Sequence, residues 1–166
     1  VTMDITGQGY GIDIQYDSTL TLDGATLNIH DVSNATISSK PSGTTNPGII
    51  DVLNGSTITA TNINGNFSNG GVWTIEDSTV TIQDCTSHGF SASAITVDNA
   101  TVNISDTGRR GISINDDGGR LEVVNGASVS VSNTCTSGTD GDYAVSMNSK
   151  ATGGIQVAEG STLRVS

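Results

Sequence analysis

Basic residues are scarce. The 166-residue chain carries 6 Lys+Arg against 17 Asp+Glu, a formal charge of -11. Nucleic acids and anionic membranes are polyanions, so this balance argues against either as a main partner. Leucine is scarce too, with 6 residues beside 30 Val plus Ile. That ratio disfavours a helical protein, because β-branched side chains lose χ1 freedom in a helix and fit a pleated surface. No apolar run approaches the roughly 18 residues of a membrane span. No basic stretch precedes an apolar one at the start, so a secretion signal is expected to be missing or already removed. Leu, Ile, Val and Phe together make 38 residues, about 23% of the chain, just above the level at which so acidic a sequence would stay disordered. What is abundant is polar and small: 23 Thr, 21 Ser, 21 Gly and 14 Asn fill nearly half the chain. The length predicts one domain over residues 1–166, and the composition predicts a soluble, β-rich one.

One phrase recurs through that domain. A turn residue (Asp, Asn or Gly) is followed by Ser or Ala, then Thr or Ser, then an apolar-polar-apolar alternation. It reads DSTLTL from Asp17, GATLNI from Gly24, GSTITA from Gly55, DSTVTI from Asp77, NATVNI from Asn99, GASVSV from Gly126 and GSTLRV from Gly160, with a degenerate NATISS from Asn34. The copies at Thr57, Thr79 and Thr101 are 22 residues apart, and later spacings widen to 27 and 34 as loops are inserted. Period-two alternation places Leu20/Leu22, Ile58/Ala60, Val80/Ile82, Val102/Ile104, Val129/Val131 and Leu163/Val165 on one side of a strand. A second set precedes these, at Ile12/Ile14, Ile50/Val52, Trp73/Ile75, Ile95/Val97, Leu121/Val123 and Ile155/Val157; a third lies between units at Ile37, Phe90, Ile112/Ile114 and Val145/Met147.

Three short strands in about 22 residues predict one turn of a right-handed parallel β-helix, an all-β solenoid of about six coils. At about 4.8 Å per strand spacing, six coils form a rod of about 29 Å. Roughly six inward apolar side chains per coil, each contributing about 1.5–3 kcal/mol, supply the core. The chain starts in a coil and stops inside the strand pair Leu163–Val165 with no capping helix, so an excised part of a longer protein is expected.

Two residues beyond the second inward pair stand Asp31, Asn62, Asp84, Asp106 and Asn133. Stacked coils bring these into one column, where side chains can bond groups of the same or the next coil. This resembles the asparagine ladder of the pectate-lyase-like β-helix superfamily, with Asp at several positions. Within that superfamily the Thr/Ser/Asn/Gly-rich, Lys-poor texture is most similar to secreted adhesins and surface stalks of bacteria.

Several residues are candidates for chemistry. Asp116-Asp117 follows Asn115, with His88-Gly89 upstream. Polygalacturonase-like hydrolases of the same fold use an Asp pair, a His-Gly element and a basic element, but there the Asp pair precedes the His, and inverting hydrolysis needs two carboxyls about 6.5–9.5 Å apart across a sugar. β-Elimination would need a Ca²⁺ cluster and a basic residue, and Arg109-Arg110 falls in a turn after Asp106. Asp140 and Asp142 offer hard oxygen ligands on a loop, a candidate Ca²⁺ pair with no third ligand at loop spacing. Tyr10, Tyr16 and Tyr143 lie at strand or loop edges where a ring can stack on a sugar, while Trp73 and Phe90 fall on inward positions. Thr19/Thr21, Thr57/Thr59 and Thr79/Thr81 are Thr-x-Thr pairs of the kind that resemble the water-ordering faces of β-helical ice-binding proteins. Cys85 and Cys135 are the only cysteines, either one buried and one surface thiol or a bridge through the loop after Cys135.

The resulting expectation is a non-catalytic, secreted or cell-surface adhesin-like stalk. It would bind carbohydrate or a host surface protein through loops that break the 22-residue period, insert into no membrane and be monomeric. Tyr143, Asp116, Asp117, Arg109 and Arg110 are the expected ligand-binding residues, and no cofactor is required beyond the Ca²⁺ candidate at Asp140 and Asp142. The alternatives are a polysaccharide lyase or hydrolase fragment, an ice-binding protein, and a trimeric phage tailspike segment.

Overall fold

Alternation of β-branched and polar residues, cut every few positions by Asn, Asp or Gly, leaves the chain little choice but short strands. The computed structural model describes residues 1–7, 9, 11–14, 18–39, 47–138 and 143–166. Among them every sheet pairing is parallel, and the chain builds a right-handed parallel β-helix of about six coils with one seven-stranded and two six-stranded sheets. The broad sheet stacks Thr2–Gly7, Thr26–Val32, Thr57–Ile63, Thr79–Cys85, Thr101–Thr107, Ser128–Ser132 and Thr162–Val165. A narrow sheet stacks Ile12–Asp13, Ile37–Ser39, Ser68–Gly70, Phe90–Ala92, Ile112–Ile114 and Val145–Met147. The third stacks Thr19–Asp23, Ile49–Leu53, Val72–Glu76, Ala94–Asp98, Arg120–Val124 and Gly154–Val157. Each coil visits the broad, narrow and third sheets in that order.

Register turns the sequence pairs into columns. Leu27, Ile58, Val80, Val102, Val129 and Leu163 lie one above another, as do Ile29, Ala60, Ile82, Ile104, Val131 and Val165. The inward columns merge into a single apolar core, to which Trp73, Phe67 and Phe90 add a fully buried aromatic cluster with ring centroids 5.0–5.6 Å apart. The Trp73 indole N–H donates to the Gly70 carbonyl at 3.3 Å, so the largest buried side chain keeps its one polar group satisfied.

The corners explain the recurring turn residues. Asp31, Asn62, Asp84 and Asp106 stand one residue before the end of their broad-sheet strands and Asn133 just after its own, all with φ between 46° and 57°. Asn54, Asp77, Asn99 and Asn125 precede the broad-sheet strands with φ of 45–55°. Asn and Asp tolerate this left-handed conformation better than other residues with a Cβ, because their short polar side chains bond locally. Here the amides bond carboxylates of the neighbouring coil: Asn54 donates to Asp23 at 2.8 Å, Asn99 to Asp77 at 2.5 Å and Asn125 to Asp98 at 2.7 Å. In the other corner Asn62 donates to Asp31 and Asn133 to Asp106. At these rungs an amide-to-carboxylate bond takes the place of an amide-to-amide one, while Asp84 and Asp106 set two carboxylates on neighbouring coils. The small residue after the turn points inward, where Ser56 and Ser78 are buried and the Ser56 hydroxyl donates to the Leu53 carbonyl at 2.6 Å.

The first coil departs from the sequence expectation. Leu20 and Leu22 pair with Ile50 and Val52 in the third sheet, and Ile12 pairs with Ile37 in the narrow one. It is Leu27/Ile29 of the GATLNI copy that joins the broad-sheet columns, between Met3/Ile5 and Ile58/Ala60. The reason is local: in this coil the strands on both sides of the Gly24 turn carry the same Thr-apolar-polar-apolar alternation, and period two cannot say which sheet a strand joins. Thr19/Thr21 thus leaves the Thr-x-Thr face, whose next rung is Thr26/Asn28, and complete Thr-x-Thr pairs remain on the Thr57/Thr59 and Thr79/Thr81 rungs.

Candidate functional site

The middle residues of the five three-residue narrow-sheet strands stand in register as a polar row, Ser38, Asn69, Ser91, Ser113 and Ser146, with Asp13 of the first strand beside Ser38 and Ser113 itself buried. Flanking apolar residues hold that row flat against the core, for Phe90, Ile112 and Ile114 are all buried. Toward its C-terminal end the row is hydrogen-bonded along its length. Ser146 Oγ donates to Ser113 Oγ at 3.3 Å, Ser113 Oγ to Asn115 Oδ1 at 3.0 Å, and Asn115 Nδ2 to Ser91 Oγ at 2.9 Å.

Arg110 enters this row from the corner before Ile112–Ile114. Its backbone is held on one side of the stack: the Arg110 amide donates to His88 Nδ1 at 3.2 Å, and the Arg110 carbonyl accepts the Gly89 amide at 3.0 Å. Accepting a backbone N–H at Nδ1 assigns the neutral His88 ring its proton at Nε2. The Arg110 guanidinium donates from Nη1 to Ser113 Oγ at 3.4 Å. Beside it the segment Tyr143–Asn148 rises from the last insertion, docked by the Ile112 amide on the Ala144 carbonyl at 2.9 Å and the Asn148 amide on the Ile114 carbonyl at 2.8 Å. Between them lies a groove of about 480 Å³ lined by Arg110, Asn115, Tyr143, Ser146 and Asn148, with Val145 and Met147 completing its floor. Tyr143 is 64% exposed at the edge of this groove.

Of the residues singled out from sequence, the fold brings Arg110 and Tyr143 together. Arg109 does not line the groove; its carbonyl accepts the Thr107 hydroxyl and the Cys135 amide, both at 2.8 Å, and ties the corner together. Asp116 is turned aside to accept the Ser93 hydroxyl, next to the third sheet, and Asp117 is exposed in the same turn. Neither carboxylate lines the groove. Asp140, Asp142, Tyr10 and Tyr16, with most of the Lys40–Gly48 loop, lie outside the described residues. Among the described residues no group of three or more His, Cys, Asp or Glu side chains is placed to hold a metal ion.

Sequence reasoning missed Asn115, Ser146 and Asn148 as site residues. A signal was present: Ser91, Ser113 and Ser146 each stand alone between apolar residues in a three-residue strand, the position register converts into a polar row.

Both cysteines are free. Cys85 sits in register between Ile63 and Thr107, and burial pushes its thiol up to about 12, which leaves it protonated and inert. Trp73 and Phe90 are core residues, as their inward positions predict.

Fold and groove together define an acidic β-helical solenoid that carries a guanidinium-bearing polar groove over its narrow sheet. Comparison with known proteins found no matching family model, no similar curated protein and no similar solved structure.

Proposed function

We propose that the chain is a non-catalytic, secreted or cell-surface adhesin-like segment, akin to the pectate-lyase-like superfamily in its coil geometry, that binds carbohydrate. The observation that carries this reading is the groove itself. A flat row of hydroxyls and amides, an exposed Tyr143 ring and a guanidinium share one cleft of small-ligand size. Sugars present that mixture of stacking faces and hydroxyl forks, and loops on a rigid scaffold are where recognition is placed. The rod supplies stiffness and the negative surface keeps it soluble.

The rival reading, a polysaccharide lyase or hydrolase, draws no support from the groove, whose described lining contains no carboxylate. A glycan array probed with the purified chain tests the proposal: retention on a defined set of glycans, lost on Tyr143→Ala, is the expected outcome. An array with no bound glycan contradicts it. A parallel turnover assay on polygalacturonate and alginate, with and without Ca²⁺, is expected to yield no product; product formation abolished by Asp116→Ala would establish the enzyme instead.

A further inference from the structure

We propose that the groove holds a pair of neighbouring sugar hydroxyls, one donating to Ser146 Oγ and the other accepting from Asn148 Nδ2. This rests on the carbohydrate reading above and adds to it which atoms of the sugar are read.

The hydrogen-bond chain along the serine row has a direction. Asn115 gives its Nδ2 to Ser91 Oγ at 2.9 Å, which turns Oδ1 toward Ser113. An amide oxygen only accepts, so the single Ser113 hydroxyl proton goes to it at 3.0 Å. Arg110 Nη1, which only donates, takes one of the Ser113 lone pairs at 3.4 Å. Ser146 Oγ, 3.3 Å from Ser113 Oγ, then supplies the proton of their shared bond. Ser113 is itself buried, which keeps solvent from competing for these bonds. With its proton committed, Ser146 has only lone pairs to offer a ligand. Toward the groove it is an acceptor, and it selects a group that donates.

Asn148 carries the opposite polarity. Its Oδ1 accepts the Ser149 hydroxyl at 3.1 Å and the Lys150 amide at 3.3 Å, so the carbonyl end is turned back into its own turn. Among the described residues Nδ2 has no acceptor, and its N–H donors stay open. Ser146 and Asn148 line the same groove two residues apart. An acceptor beside a donor fits two adjacent hydroxyls, because a hydroxyl both gives and receives a proton. A carboxylate, sulfate or ester oxygen offers Ser146 nothing, having no proton to give. Tyr143, Val145 and Met147 supply apolar surface for the C–H face of a sugar ring, in a space of about 480 Å³ that lies within the ordinary range of small-ligand pockets.

Periodate supplies the test, because it cleaves the carbon–carbon bond between neighbouring free hydroxyls and leaves isolated hydroxyls intact. The glycan array is printed in two copies that include cellohexaose, mannohexaose, galactohexaose and laminarihexaose. One copy is left untreated and the other is oxidised with periodate and reduced with borohydride. The unaltered protein is expected to be retained on the untreated copy and to lose roughly tenfold or more of that retention on the oxidised one. Asn148→Asp keeps an acceptor for Ser149 and Lys150 while removing the N–H donors. It is expected to weaken binding to the retained glycans by about tenfold at an unchanged thermal midpoint, and Ser146→Ala is expected to weaken it similarly. The periodate comparison uses the unaltered protein, so it decides the matter even where a variant misfolds. Retention that survives periodate, or binding unchanged in either variant, overturns the hydroxyl-pair assignment and leaves the carbohydrate reading in place. No retention anywhere on the untreated copy overturns both.

Discussion

At the scale of single residues, the corners set the stability of the coil. Asn99 adopts φ 45° and its amide donates to Asp77 in the preceding coil. Asn99→Ala places a Cβ-bearing residue with no local hydrogen bond in the left-handed region, a change worth about 1–2 kcal/mol, whereas Asn99→Gly recovers the backbone part. Urea denaturation of both variants is expected to rank Gly above Ala in midpoint. Charge at the other corner gives a pH signature. The His30 ring beside Asp31, at 2.9 Å, and then the Asn62 amide hold the Asp31 carboxyl below its ordinary value of 3.8. A carboxyl lowered in the folded state contributes stability above its unfolded value, and that contribution is lost as pH falls through the folded one. Carbon-detected NMR titration is expected to place the Asp31 midpoint below 3.8, and His30→Ala is expected to raise it. Side chains of this kind were legible in the sequence as a column of Asp and Asn. Their bonding to each other, amide onto carboxylate, was not, because spacing reports alignment and says nothing of rotamer.

At the scale of the strand, packing around the narrow sheet decides whether the groove exists. Phe67, Trp73 and Phe90 fill the core beneath and beside it in tilted and edge-on contacts. Gly71, at φ 90°, lets the backbone pass close to the core: a Cβ there would stand 2.5 Å from Ile50 Cδ1 and from Ser39 Oγ, and 3.3 Å from the Trp73 indole nitrogen. Phe67→Ala is expected to destabilise by about 3–5 kcal/mol, as for other buried aromatics, read as a lower thermal midpoint with unchanged β-sheet circular dichroism at low temperature. Trp73 and Phe90 announced themselves through alternation, but Phe67 did not. It precedes Ser68–Gly70, a strand with no apolar residue of its own, so periodicity had nothing to register. The first coil was misread for the converse reason: two consecutive strands carry the same pattern, and only the pairing of Leu20 with Ile50 and Leu27 with Ile58 separates them.

At the scale of the whole molecule, each coil rests on its neighbours alone. Stability in such a stack is close to a sum over coils and their interfaces, so it is greatest where both neighbours are present. Inner positions that are fully buried in the middle, such as Leu121 and Val123, have counterparts in the last coil, Ile155 and Val157, that are 47% and 43% exposed. Amide hydrogen exchange is expected to be slowest in the broad-sheet strands Thr79–Cys85 and Thr101–Thr107 and fastest in Gly154–Val157 and Thr162–Val165. The solenoid was legible because a repeat multiplies one local signal. Its groove was not, because it is assembled by register between a corner, a strand row and the segment Tyr143–Asn148, whose residues stand some 30 positions apart in sequence.

The most direct measurement of the central claim, that coil stacking assembles a saccharide groove on the narrow sheet, is residue-resolved NMR shift mapping with the tightest-binding glycan from the array. The account predicts saturable shifts clustered at Arg110, Asn115, Tyr143, Ser146 and Asn148. Saturable shifts centred instead on the threonine rows of the broad sheet, with the narrow sheet undisturbed, would contradict it.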